Sequence, residues 1–357
     1  MKKKTRILTL ALVLVLLLGG CVPGADITKR AIVTAAAVTL GEESYGVTVE
    51  ILSHLGQEEQ SFESHSGQGR TFAQAVTEIE LEMGKTLYLD GCKVILLSGF
   101  SNAVQLEALL KEINTHGGIR PLTLVAADLG KDGLLEGEEA KKSRGEEVFS
   151  LLSGSSLSQV NLKDCLGLLS APGRGTLIPG VELRDKEIRI GGYLSPGKNG
   201  VLQAPEELER LLPFAGKEDR QRVYTVTGEG YAADWVLEKS SMRLRPRTEK
   251  GETGFLLEAR VEGYLLSGQG ERLGGELLRQ VQEDVCRQVL EEYAYVLGKI
   301  VRPSGNDLFS MGKHLELFDQ KSWEDLGKDW GERLPEIPVE LRSSVLLRDK
   351  KRLFDRN

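Results

Sequence analysis

The chain has 357 residues and a formal net charge of −7. With 40% apolar residues it can bury real cores, which excludes a disordered chain, and its length suits two or three domains of ~100–200 residues. An acidic surface suits neither nucleic acid nor an anionic headgroup layer, so membrane attachment would have to come from something other than a basic patch.

The first element reads as an export signal. Lys2, Lys3, Lys4 and Arg6 form a basic end, and an uncharged apolar run follows from Ile7 to Leu18. A dozen helical residues reach only ~18 Å at ~1.5 Å each. A bilayer core is about 30 Å thick, so the run is short for a permanent span. It closes on Leu18-Gly19-Gly20-Cys21, which resembles the lipobox of bacterial lipoproteins. In such proteins a diacylglycerol is joined to the cysteine sulfur and the signal is cut just before it. Cys21 is therefore the expected lipidation site. An ordinary secreted protein with a chance cysteine is the other reading. The domain plan is a signal over residues 1–20, an N-terminal α+β region over 21–190, which could comprise two subdomains, and a C-terminal α+β domain over 191–357. With Cys21 acylated, Cys92, Cys165 and Cys286 remain, an odd number in apolar settings. They read as small buried hydrophobes, and no disulfide is expected.

Beyond the connector Val22–Asp26, Ala31–Leu40 predicts a buried strand and Tyr45–Leu52 a half-buried one, alternating Val47, Val49 and Ile51 with Thr48 and Glu50. The polar, glycine-containing stretch from Ser61 to Arg70 reads as a loop. Thr71 opens a helix with Phe72, Val76, Ile79 and Met83 on one face. Leu87–Leu97 predicts a strand, Val104–Ile113 a helix with Leu106, Leu109, Leu110 and Ile113 inward, and Leu122–Ala127 another strand. Short helices are expected within 130–165. Strands at Thr176–Val181 and Ile188–Tyr193 flank a charged turn, and a helix is predicted over Pro205–Leu212.

The second half is more regular. Strands are predicted at Arg222–Tyr231 and Asp234–Leu244. At Gly254–Leu266, Phe255, Leu257, Ala259 and Val261 alternate with Glu258, Arg260 and Glu262. Gly274–Ile300 reads as a long amphipathic helix stopped by Pro303-Ser304-Gly305. Helices at Asp307–Phe318 and Trp323–Trp330 follow, then a strand at Ile337–Leu347 whose Pro338 argues for a strand start or an edge. The fold class is α+β, with two to three mixed domains, antiparallel-rich sheets, and the long helix packed on the C-terminal sheet.

Catalytic patterns are sparse. His54, His65, His116 and His314 make no helical metal pair and no zinc spacing with cysteine. Gly84-Lys85-Thr86 ends like a phosphate loop, but Ile79 stands where its first glycine is required. Glu78, Glu80 and Glu82 alternate, so on a helix they do not face one another. Asp128, Asp132 and Glu136 lack EF-hand spacing. Trp323 and Trp330 read as core anchors, though a ligand-stacking pair is the alternative. Arg243, Arg245 and Arg247 share one strand face, either solvated or set to receive an acidic partner loop. No catalytic residue, metal site or cofactor is expected.

The whole chain resembles the Ger(x)C family, the lipoprotein C subunits of spore germinant receptors. The likeness rests on the lipobox with Arg30-Ala31-Ile32-Val33-Thr34-Ala35; on Gly84–Leu89 leading into Lys93–Gly99, with Ile119-Arg120 and Leu124–Ala126 behind; on Met242–Pro246 with Phe255–Gly263; and on Ser304-Gly305-Asn306-Asp307-Leu308-Phe309 followed by Gly312, Trp323, Trp330 and Val339. The resemblance implies a non-enzymatic subunit lipid-anchored through Cys21 on the outer face of the spore inner membrane. Its partners would be integral-membrane A- and B-type receptor subunits, and its role the response to nutrient germinants. A solute-binding lipoprotein of a membrane transporter is the alternative. It predicts a deep cleft between two similar domains, lined by the two tryptophans. A cell-wall hydrolase is a third reading, disfavoured by the missing catalytic groups.

Overall fold

The structure, a computed structural model, describes residues 29–53, 61–130, 133–137, 141–154, 157, 159–209, 222–249, 252–268 and 275–349. The signal, Cys21 and His54 lie outside them. Nine strands build the first sheet: β1 (Arg30–Leu40), β2 (Tyr45–Leu52), β3 (Phe62–Gly69), β4 (Thr86–Tyr88), β5 (Val94–Ser98), β6 (Leu124–Asp128), β7 (Ile178–Arg184), β8 (Glu187–Pro196) and β9 (Val201–Ala204). Their order is β3-β2-β1-β5-β6-β7-β8-β9, with β4 beside the start of β1.

The centre, β1-β5-β6-β7, is parallel and both flanks are antiparallel. Parallel strands are covered on both faces, so they read as continuous apolar runs. Val94, Ile95, Leu96 and Leu97 are accordingly all fully buried. Helices α1 (Phe72–Met83), α2 (Ala103–His116) and α4 (Leu162–Ser170) pack on one face, and α3 (Arg144–Ser153) on the other.

Two expectations are corrected here. The stretch 61–70 is not a loop but strand β3, paired along its length with β2. It is polar because it lies at the sheet's edge, and it carries glycine because α1 crosses it closely: a Cβ on Gly67 would stand 2.5 Å from the Ala75 carbonyl oxygen. The single strand expected at 87–97 divides into β4, a 3₁₀ turn at Leu89–Gly91, and β5. The charged turn is confirmed as Asp185-Lys186, both in the left-handed region at φ 54° and 66°, which matches a two-residue hairpin. Position 190 lies inside β8, and the first sheet ends at Ala204.

The second sheet has the order β10 (Arg222–Gly228), β11 (Tyr231–Glu249), β12 (Glu252–Gly268), β13 (Val339–Asp349). β13 is an edge strand running parallel to β12 and preceded by Pro338. Helix α5 (Gly275–Val296) packs Val281, Val285, Val289, Tyr293 and Val296 against the sheet's apolar face. It continues through a π-turn at Leu297–Val301 and one last turn at Arg302–Ser304.

The helix expected from Asp307 starts later, as α6 (Met311–Phe318). Gly305 and Ser310, at φ 67° and 56°, break the helical path between them. The Trp323–Trp330 helix is split into α7 (Gln320–Leu326), a 3₁₀ turn and α8 (Trp330–Arg333). Of the helix expected over Pro205–Leu212, the described part is a 3₁₀ turn at Glu206–Glu209. The C-terminal core crosses between the sheets: Leu177, Tyr193, Ala204 and Leu208 belong to the same apolar cluster as Phe255, Val285 and Trp330.

Candidate functional site

The stretch Ser304–Phe309 forms the joint between the two sheets. Asn306 and Asp307 are 5% and 1% exposed, unusual for such polar residues. The turn at Gly305 swings both side chains inward as the last turn of α5 ends. The Asn306 amide reaches back into the first sheet's side of the molecule. Its Nδ2 donates to the Thr176 carbonyl at 2.7 Å and to Ser195 Oγ at 2.8 Å. Its Oδ1 accepts from the Thr176 N–H at 3.2 Å. Ser195, fully buried, donates in turn to Ser304 Oγ at 3.1 Å. One side chain thus satisfies both backbone groups of a residue 130 positions away, much as a strand partner would.

Asp307 faces the other way. Its Oδ1 accepts from the Met311 N–H at 3.0 Å; its Oδ2 accepts from the Gly312 N–H at 2.8 Å and from Trp330 Nε1 at 2.9 Å. It therefore caps α6 and ties it to α8. Burial pushes this carboxyl up to about 6, against the pull of those donors.

The backbone approach is closed by glycines. A Cβ on Gly175 would stand 1.9 Å from Asn306 Oδ1, and one on Gly197 1.8 Å from the Ser304 carbonyl oxygen. Gly173, at φ 70°, accepts the Lys313 N–H at 2.9 Å and lies against Gly312, which Trp330 covers. Sequence reasoning marked Ser304–Phe309, Gly312 and Trp330 as a set, and the structure brings them together. It missed their partners, Gly173, Gly175, Thr176, Ser195 and Gly197. The only signal for those was the spacing of glycines in Pro172–Gly175 and Pro196–Gly200.

A second buried acid, Glu50, was read as the polar face of a half-exposed strand; it is 3% exposed. Its Oε1 accepts from Thr34 Oγ1 and Ser143 Oγ, both at 2.5 Å, and from the Gly145 N–H at 3.2 Å. Its Oε2 accepts from the Arg144 N–H at 2.7 Å. Glu50 thus holds the N-terminus of α3 on the first sheet.

The other marked residues are dispersed. Glu78 and Glu80 accept the backbone N–H groups of Gln68 and Leu87. Asp128 accepts from Gly130 and Leu134. His65 lies 3.6 Å from Glu63, and His116 meets Phe72 edge-on at 5.2 Å. His314 tilts on Phe318 at 4.6 Å, with burial holding its pKa down. Trp323 and Trp330 are 5.7 Å apart in the core, Trp330 being only 5% exposed. Arg245 and Arg247 reach Glu258 and Glu340 at 3.4 and 2.5 Å. Burial pushes the Cys92 and Cys165 thiols up to about 12. Among the described residues no three metal-ligating side chains converge, and no helix is long and apolar enough to cross a membrane.

The arrangement defines a two-sheet α+β protein whose halves share a core and are joined by the buried Asn306 amide. Residues 24–183 match the family model "spore germination protein N-terminal domain", and residues 204–350 match "spore germination B3/GerAC like, C-terminal". The chain belongs to this spore germination family. Its fold is similar to that in the crystal structure of the GerBC protein, at a TM-score of 0.58 and 14% identity, covering 88% of this chain and 96% of that one. No curated protein matches it.

Proposed function

We propose that the chain is a non-enzymatic, lipid-anchored subunit of a spore germinant receptor, needed for the response to nutrient germinants. Cys21 carries the lipid on the outer face of the spore inner membrane, beside integral-membrane A- and B-type subunits. The observation that carries this reading is the family match to both halves of the chain, in order and with little left over. The joint supports a scaffold role: the side-chain amide of Asn306 ties the two sheets together, and the carboxylate of Asp307 holds α6 to α8.

Anchoring would act through distance. The described body begins at Lys29. The linker from Cys21 therefore spans at most roughly 28 Å at ~3.5 Å per residue. Confinement in so thin a layer raises effective concentration, so modest contact surfaces suffice for assembly. Replacing Cys21 by Ala should leave the domains folded, release the chain from the membrane fraction and abolish co-purification of integral subunits from detergent-solubilised spore membranes. Normal germination in nutrient by such a variant would overturn the anchoring reading. An isolated chain that bound amino acids or sugars with micromolar affinity in calorimetry would favour a transporter's solute-binding protein instead.

A further inference from the structure

Helix α5 covers one face of the second sheet. Ser343 on β13 donates to the Cys286 carbonyl of α5 at 3.0 Å, and Leu257, Ala259 and Val261 on β12 join the core beneath that helix. Side chains alternate across a strand, so the even-numbered residues of β12 and β13, such as Arg260 and Ser344, point the other way. The register carries this outward row to Lys239, Ser241 and Arg243 on β11. Lys239, Ser241, Arg243, Arg260, Arg342 and Ser344 are all exposed, and Leu346 among them is 50% exposed.

This outward face carries more cations than it can pair. Arg245 meets Glu258 at 3.4 Å and Arg348 meets Glu262 at 3.5 Å, while Arg247 and Arg342 share Glu340 at 2.5 and 2.7 Å. Those pairs spend the carboxylates of these rows. Lys239, Arg243 and Arg260 keep none among the described residues. Glu238, at a bulge, and Glu249 and Glu252, at the hairpin end, lie beyond the rows. Arg260 is central: it stands opposite Ser241 on β11 and Ser344 on β13, with neighbouring strands about 4.8 Å apart. Two hydroxyls thus flank its guanidinium, and a guanidinium fork matches the oxygens of a phosphate.

The net charge of −7 argues against a basic patch on a headgroup layer. Salt, however, screens exposed charges beyond about 8 Å, so a flat face answers to its own rows and not to the total. The free cations are also spread out. Lys239 and Arg243 lie about 13 Å apart along β11 at ~3.3 Å per residue, with Arg260 on the next strand. Such a spread suits phosphates repeated over a plane better than one compact ligand. We propose that this face of the second sheet rests on anionic phospholipid headgroups, with Lys239, Arg243 and Arg260 as phosphate contacts and Leu346 entering the interface. From the anchoring reading it takes only that the body lies near a membrane.

The test uses the mature chain from residue 21 with Cys21→Ser, so that no lipid contributes. It is mixed with phosphatidylcholine vesicles with or without about one-third phosphatidylglycerol. The chain should sediment with the anionic vesicles and not with the neutral ones. Lys239→Ala/Arg243→Ala/Arg260→Ala, checked for an unchanged melt, should lower that binding on the order of a hundredfold, since each cation at an anionic surface is worth about a factor of five. Arg70→Ala/Arg120→Ala/Arg184→Ala removes three other exposed cations and should change it less than about threefold. Equal losses from the two triples, or equal binding to neutral vesicles, would sink the proposal. So would a chain that ignores the vesicles while the first triple loses a co-purifying protein, which would give the face to a protein partner. Unmodified Cys21 on a native chain, with the vesicle results as expected, would remove the anchoring reading and keep this one. A lipidated chain held in the membrane fraction, whose Cys21→Ser form ignores anionic vesicles, would do the reverse.

Discussion

Each half of the molecule hides one carboxylate at the start of a helix, and the two are used differently. Glu50 draws donors from β1 and α3, all within the first sheet's own layers. Asp307 gathers α6 and α8 of the second, while its neighbour Asn306 crosses to Thr176 and Ser195. One acid fixes a layer inside a domain, and the other sits at the boundary between domains. In both places the backbone N–H groups of a helix start need an acceptor, and a buried carboxylate offers the strongest one. Only the second position makes the two sheets answer to each other.

The largest effect is expected from Asp307→Ala. Two backbone donors and an indole N–H would be orphaned in a site that is 1% exposed. The expected loss is about 3–5 kcal/mol in urea unfolding, with protease nicking in residues 171–177. Retained stability would mean that packing alone holds α6 against α8. Glu50→Ala should cost about 2–4 kcal/mol. Here faster amide exchange should be confined to α3 and β1, with Trp330 fluorescence unchanged. A change that spread to the joint would erase the contrast between the two acids.

Titration sharpens the comparison. Asp307 is pushed up to about 6 in the folded chain, while an unfolded aspartate titrates near ~3.9. Between about pH 4 and 6 the folded state keeps a proton that the unfolded state has lost. Stability from this group is therefore full below about pH 4 and declines as pH rises through about 6, by about 2–3 kcal/mol. Unfolding midpoints against pH for the wild type and Asp307→Asn should differ by that slope, and parallel curves would refute it. The smallest effect is chemical. Cys92 and Cys165, buried and weakly acidic, should resist alkylation in the native chain, and the half-buried Cys286 should react first. Native labelling of Cys165 would show that the α4 face opens.

Much of the fold was legible in the residues because burial imposes a period. β12 and α5 were read with their inward faces correct, since Phe255, Leu257, Ala259 and Val261 alternate and Val281, Val285 and Val289 step by four. β3 was not legible. An edge strand under a closely crossing helix selects polar and glycine residues, the same composition that marks a loop. The break inside Trp323–Trp330 was hidden too, because a spacing of seven fits a continuous helix as well as two short ones.

By itself the sequence determined the α+β class, most strand and helix faces, and the family, because each is written in neighbours along the chain. Tertiary structure alone decided that Asn306 meets Thr176 and that Glu50 is buried. Those facts depend on contacts between residues far apart in the chain, such as the 130 positions between Thr176 and Asn306. No local period carries them; they exist only once two separate surfaces have closed on each other.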